Sequence, residues 1–300
     1  MSQSYQSSVS AEIRYRPETT GRQDPTMGSV RHLRVGCEFS YDSAVQTPAV
    51  FQVQPYEGGP ATVMRQSWET TPELARHGYT DLYGNGCQRL NLPAGTSSVR
   101  YDALVVVPDA TEDVDLAAPE IAVTDLPDEV LHYTLPSRYV LPDVLADEAW
   151  KLFGAQAPGY RRVLAIVDHV NGHLQFGYGT SSPLSTAADV FESRQGVCRD
   201  FAHLAISFCR ALNIPARYVF GYLPDMDVVL PPSEMDFAAW MEVYLGDRWW
   251  TFDPRNNQPR KGRTVIGRGR DALDVAMVTT YGGPVLTAMK VWSDEVQEAG

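Results

Sequence analysis

The chain has 300 residues, 44% of them hydrophobic, with 25 basic against 37 acidic side chains and a formal net charge of −12. This suits one large domain or two ordinary ones and excludes a wholly disordered chain, while the acidic balance argues against nucleic acid or an anionic membrane as partner. No apolar run approaches a bilayer span and the first residues lack a secretory apolar stretch, so a cytoplasmic protein is expected; four cysteines without CxxC or HExxH call for no disulfide scaffold, no metal and no cofactor.

Residues 1–30 are polar and without sustained period, which predicts a flexible tail. From 31 to 110, short runs rich in Val, Tyr, Phe and Thr alternate with turn signals, the pattern of an antiparallel β-sandwich. Within it the stretch DLYGNG at Asp81–Gly86 predicts a hairpin turn, because Asn-Gly accepts positive φ. Residues 111–141 carry Glu112, Asp113, Asp115, Glu120, Asp125, Asp128 and Glu129 among prolines. They read as a solvated acidic linker; calcium is the weaker reading, since EF-hand spacing is absent.

Helical periods take over in the second domain, 142–300. Helices are expected at Asp143–Phe153, Tyr160–His173, Ser185–Ser193 and from Cys198 to about Asn213, followed by strands at Ala216–Leu223, Ala238–Leu245 and Arg248–Phe252. Helices followed by strands make this domain α+β, and C-terminal strands are grouped with it.

The sequence Gly196-Val197-Cys198-Arg199-Asp200 puts a cysteine in the first turn of a helix. The unpaired N–H groups there favour a thiolate and can stabilise an oxyanion, so Cys198 is the candidate nucleophile. Cys37, Cys87 and Cys209 fit small buried hydrophobes instead. A nucleophilic cysteine needs a histidine oriented by a carboxylate. In the hairpin AAWMEVYL-GD-RWWTFDP, a two-residue turn at Gly246-Asp247 pairs Leu245 with Arg248. Position 238 then lies opposite 255, with Asp253 as its diagonal neighbour, roughly 7–8 Å away at Cα. Asp253 is placed to orient whatever occupies 238. The residue there is alanine.

Two segments, GVCRDFAHLAISFCRALNIPARYVFGYL and MDFAAWMEVYLGDRWWTFDPRNN, resemble the core of bacterial transglutaminase-like proteins of the papain-like cysteine superfamily. LRVGCEFSYDSAV and DLYGNGCQRLNL resemble the β-rich domain that often precedes that core, and LPSRYVLPDVLADEAWKLFG resembles the joining segment. The resemblance covers about residues 30–295. It implies a β-sandwich followed by a papain-like transglutaminase core. It also implies a Cys–His–Asp triad for acyl transfer on glutamine side chains or for amide hydrolysis. Cys198 and Asp253 match two members, and Ala238 stands where the histidine normally precedes Ala239-Trp240.

No other histidine replaces it. His203 lies about 140° round its helix from Cys198. His169 and His173 share a helix face at i, i+4, yet no carboxylate motif accompanies them. Asn256 and Asn257 can hydrogen-bond but cannot act as bases. Gly196, Trp240, Arg255 and Asn256 are the candidates for holding substrate, Trp240 as a wall of the cleft. The basic run Arg255, Arg260, Lys261, Arg263, Arg268 and Arg270 pairs with the molecule's own carboxylates on the simpler reading, and binds an anion on the sharper one. Two functions stay open. One is a weakened cysteine enzyme acting on peptide or side-chain amides; the other is a catalytically silent relative binding a peptide or protein. A replacement at 238 made to trap substrate is a third explanation of the alanine.

Overall fold

A computed structural model describes residues 29–228 and 234–297. The expected tail falls almost wholly outside the described residues. The chain forms β1 (Val30–Ser43), β2 (Thr47–Phe51), β3 (Thr62–Thr71), β4 (His77–Thr80), β5 (Gly86–Leu92) and β6 (Gly95–Pro108). Strict alternation builds the long strands: Leu33, Val35, Cys37, Phe39 and Tyr41 of β1 and Val99, Tyr101, Ala103, Val105 and Val107 of β6 all point inward. The predicted turn joins β4 to β5. Its positive φ falls on Gly84 rather than on Asn85 or Gly86, because the Asp81 carboxylate accepts from the Tyr83 and Asn85 N–H groups and draws the loop inward.

After the short helix α1 (Asp128–Leu131) come α2 (Ala146–Phe153), α3 (Tyr160–His173), β7 (Gln175–Phe176), α4 (Ala187–Ser193), β8 (Gln195–Gly196) and α5 (Cys198–Ala211). The strands β9 (Ala216–Tyr222), β10 (Ala238–Leu245), β11 (Arg248–Phe252), β12 (Thr264–Gly269), β13 (Val278–Thr280) and β14 (Val285–Val296) complete the chain. Helix α5 is buried along nearly its whole length, as a helix apolar on most faces must be. It packs on β9 and β10 and is flanked by α2, α3 and α4. The sheet beneath it has the order β11-β10-β9-β12 and is antiparallel.

The protein is thus α+β, with an antiparallel β-sandwich preceding a core in which α5 packs on a four-stranded sheet. The sandwich sheets have the orders β14-β1-β6-β3 and β13-β2-β5-β4, and Phe51 meets Phe39 and Tyr41 between them. The C-terminal strands therefore do not stay with the second domain: β14 pairs with β1 and β13 with β2.

The acidic segment is not simply solvated. Glu112 pairs with Arg263, Asp113 with Arg248 and Glu120 with Arg162. Most of the basic run likewise finds internal carboxylates, Arg260 with Asp225, Lys261 with Asp109 and Asp227, Arg268 with Glu242 and Arg270 with Asp274, whereas Arg255 forms no ion pair among the described residues. No described helix is long and apolar enough to cross a membrane.

Candidate active site

Cys198 opens α5, and three contacts fix that start. The Asp200 carboxylate accepts from the Val197 N–H at 2.9 Å, from Ser181 Oγ at 2.5 Å and from the Arg199 guanidinium. Gly196 precedes the helix, buried beside Asp200, where an added Cβ would lie 2.7 Å from the Asp200 Cβ. Its expected role in holding substrate gives way to this one. Gly196 does not line the cleft; the absence of its side chain makes room for the carboxylate that caps α5.

The Cys198 thiol borders a cleft of about 280 Å³ together with Ala238, Arg255 and Asn256. Phe176, Tyr178, Leu223, Met235, Asp236 and Phe237 form much of the remaining wall. Its Sγ lies 3.9 Å from the Phe237 carbonyl. A helix start favours a thiolate, while burial works against it. Burial pushes the thiol up to about 11; the Arg255 guanidinium opposes the rise, and the Asp236 and Asp253 carboxylates add to it. Cys198 is a protonated thiol near neutral pH.

The β10–β11 register follows the sequence expectation, with Leu245 opposite Arg248 and Met241 opposite Phe252. Asp253 directly follows β11, but it does not wait for an imidazole. Its Oδ1 accepts from the N–H groups of Arg255 (3.1 Å) and Asn256 (2.9 Å). Its Oδ2 accepts from Asn256 Nδ2 (2.7 Å) and Arg263 Nη2 (2.8 Å). An ionised carboxylate offers about four acceptor positions, and these bonds fill them. Burial pushes this carboxyl up, yet Arg263 and the Asn256 donors outweigh that and hold it below the usual range. The expected orienting role is replaced by an anchoring one, tying β11 to Arg263 and, through Arg263, to Glu112.

Trp240 is sealed away from the cleft at 1% exposure, packed with Val219 and Val265, and the Arg263 guanidinium lies over its ring. It cannot wall the cleft. Arg255 stacks on Phe176 and donates to Asn256 Oδ1 at 3.0 Å. His203 is buried between Tyr139 and Tyr218 and accepts from the Ala272 N–H at 3.1 Å, with its pKa pushed down to about 3 by burial. His169 and His173 stack on each other, and His173 Nε2 meets the Phe191 carbonyl. Among the described residues no group of three or more His, Cys, Asp or Glu side chains is arranged to hold a metal.

Sequence reasoning missed Asp236, which lies two residues before Ala238 in the segment that leads into β10. Phe176 and Tyr178 were less accessible. They arrive through the parallel pairing of β7 with β8, two residues in each strand, which is too short to leave a period.

Residues 149–254 match the model of the transglutaminase-like superfamily. A crystal structure from Cytophaga hutchinsonii, provisionally described as a cysteine protease, superposes with a TM-score of 0.82 at 31% identity, covering 91% of this chain and 93% of that one. The chain belongs to the transglutaminase-like superfamily. That assigns this transglutaminase-like fold to a family of cysteine-type enzymes. An uncharacterized Mycobacterium leprae protein is 30% identical over 226 residues, 72% of this chain and 79% of that protein. A Pseudomonas aeruginosa protein-glutamine gamma-glutamyltransferase is 34% identical over 120 residues, 37% of this transglutaminase-like chain but only 17% of that enzyme.

Proposed function

We propose that this protein is a silenced transglutaminase-like protein, using its cleft to bind a peptide or protein chain without turning over amides at Cys198. The observation that carries this reading is the state of Asp253: its acceptor positions are filled by Asn256, Arg255 and Arg263. Ala238 supplies no base, and the thiol stands at about 11. General-base help is worth roughly 100- to 10,000-fold, so its loss without a substitute leaves the chemistry slow. The cleft itself persists, with an apolar and aromatic wall beside polar groups, which suits an amide-bearing chain. Glutamine side chains are the amide to try first, from the activity named for the Pseudomonas aeruginosa relative.

A slow cysteine enzyme is the second reading. Cys198 favours it, because the thiol still borders the cleft at a helix start whose N–H groups suit an oxyanion. Intact-mass measurement of Cys198 alkylation by iodoacetamide, with and without glutamine-containing peptides, tests occupancy of the cleft. Peptide protection of Cys198 supports binding there; alkylation unchanged by every peptide contradicts it.

A further inference from the structure

The cleft does not end at Asp236. A second hollow of about 360 Å³, lined by Tyr178, Glu234, Met235, Asp236, Met289 and Val291, shares its first four residues with the cleft beside Cys198. The last two belong to β14, the outermost strand of its sheet. Among the described residues β14 pairs only with β1, so its other edge carries unmatched backbone donors and acceptors.

The inner face of that strand is unusual. Leu286 stands opposite Tyr41 and Met289 opposite Phe39, both core residues, yet Leu286 is 45% and Met289 39% exposed. This apolar row continues the core pattern past the point where the described residues cover it fully. Phe39 in turn stacks on Phe237, with ring centroids 6.3 Å apart. The Phe237 carbonyl is the group 3.9 Å from Cys198 Sγ. Apolar packing therefore runs from the strand edge to the thiol.

Charge narrows the occupant. Asp225 in the cleft is neutralised by Arg260 at 2.8 Å. Asp236 accepts from its own neighbour's N–H and is attracted by Arg255, which lines the same cleft, but neither Asp236 nor Glu234 forms an ion pair among the described residues, and the two carboxylates outnumber that one cation. Lys290 lies opposite Glu38, on the outer face of the sheet rather than the face of Met289.

We propose that β14 is a docking edge: an extended peptide segment carrying lysine or arginine pairs with it as an added strand, covers Leu286 and Met289, and runs past Asp236 to Cys198. Main-chain bonds to the edge would give affinity and alternate side chains selectivity, the usual division in strand addition. This rests on the cleft being a peptide site and adds the substrate class and its path.

The test uses three fluorescein-labelled eight-residue peptides with a central glutamine and serine at the outward positions; their inward positions carry valine towards one end and lysine, glutamate or serine towards the other, so that the variable residue shares the face of Met289 and Asp236. Binding is read by anisotropy, and cleft occupancy by protection of Cys198 from iodoacetamide. The lysine peptide is expected to bind at least about tenfold more tightly than the glutamate one, and to lose about tenfold or more with Met289→Lys, with Asp236→Asn, or when its valines become proline. Met289 is exposed, and an unchanged unfolding midpoint for Met289→Lys separates lost binding from lost folding. Protection of Cys198 with no lysine preference and no response to Met289→Lys overturns the docking edge and leaves the peptide-binding reading standing. Failure of all three peptides to bind or protect overturns both.

Discussion

The Asn256 side-chain amide donates to Asp253 Oδ2 at 2.7 Å. It occupies an acceptor position on the carboxylate that an imidazole at 238 would need. On the proposed silent reading, the alanine at 238 and the engaged carboxylate act together, and building a triad is a two-site problem.

Ala238→His alone is expected to raise Cys198 alkylation at pH 7 only a few-fold, since the new ring finds Asp253 engaged. Ala238→His with Asn256→Ala is expected to raise it by a further factor of about ten or more, the equivalent of one pKa unit. The check is the pH–rate profile of iodoacetamide labelling, with Cys198→Ala as control. Equal gains from the single and double variants would contradict the role assigned to Asn256.

The thiols should react in order of their surroundings. Cys198 stands at about 11, so its alkylation is expected to climb roughly tenfold per pH unit across pH 7–9. Cys209 is pushed still higher by complete burial and is expected to label more slowly than Cys198 at every pH. Asp236→Asn removes a negative charge that disfavours the thiolate and is expected to speed Cys198 labelling. Site-resolved mass spectrometry reads all three.

Glu242 sets an acid-stability prediction. Burial pushes its carboxyl up, but Arg217 and Arg268 outweigh that and hold it at about 2. A depressed folded pKa stabilises the fold at pH above the unfolded value, near 4.3, and that stability is lost as pH falls from there towards 2. Glu242→Gln is expected to cost on the order of 3 kcal/mol at pH 7 and to flatten the fall of unfolding free energy below pH 4. Urea titrations at a series of pH values measure both.

Much of this was legible in the chain. The register of the β10–β11 hairpin follows from a two-residue turn and period-2 alternation, and α5 from the spacing of Phe201, Leu204, Ala205 and Phe208. The partners of Asp253 were not legible. Arg263 reaches it from outside the hairpin, and Asn256 folds back three residues, a side-chain choice that no period encodes. Nor did the sequence signal the return of β14 to β1, since pairing between strands more than 240 residues apart leaves no local trace. The thiol's raised pKa comes chiefly from burial, which its position along the helix does not reveal.

Gly196→Ala examines the helix start independently. The new Cβ would meet the Asp200 Cβ at 2.7 Å, forcing the capping carboxylate to move, at a cost of about 1–3 kcal/mol. Thermal unfolding of the variant measures it, and a value unchanged from the parent would contradict the packing role given to this glycine.

The central claim is that the cleft binds without turnover. Ammonia release from a glutamine peptide that protects Cys198, in the presence of a primary amine, tests it most directly. The account predicts the same release from the parent protein and from Cys198→Ala, even with the peptide saturating. Release by the parent that disappears in Cys198→Ala would contradict it and restore the cysteine-enzyme reading.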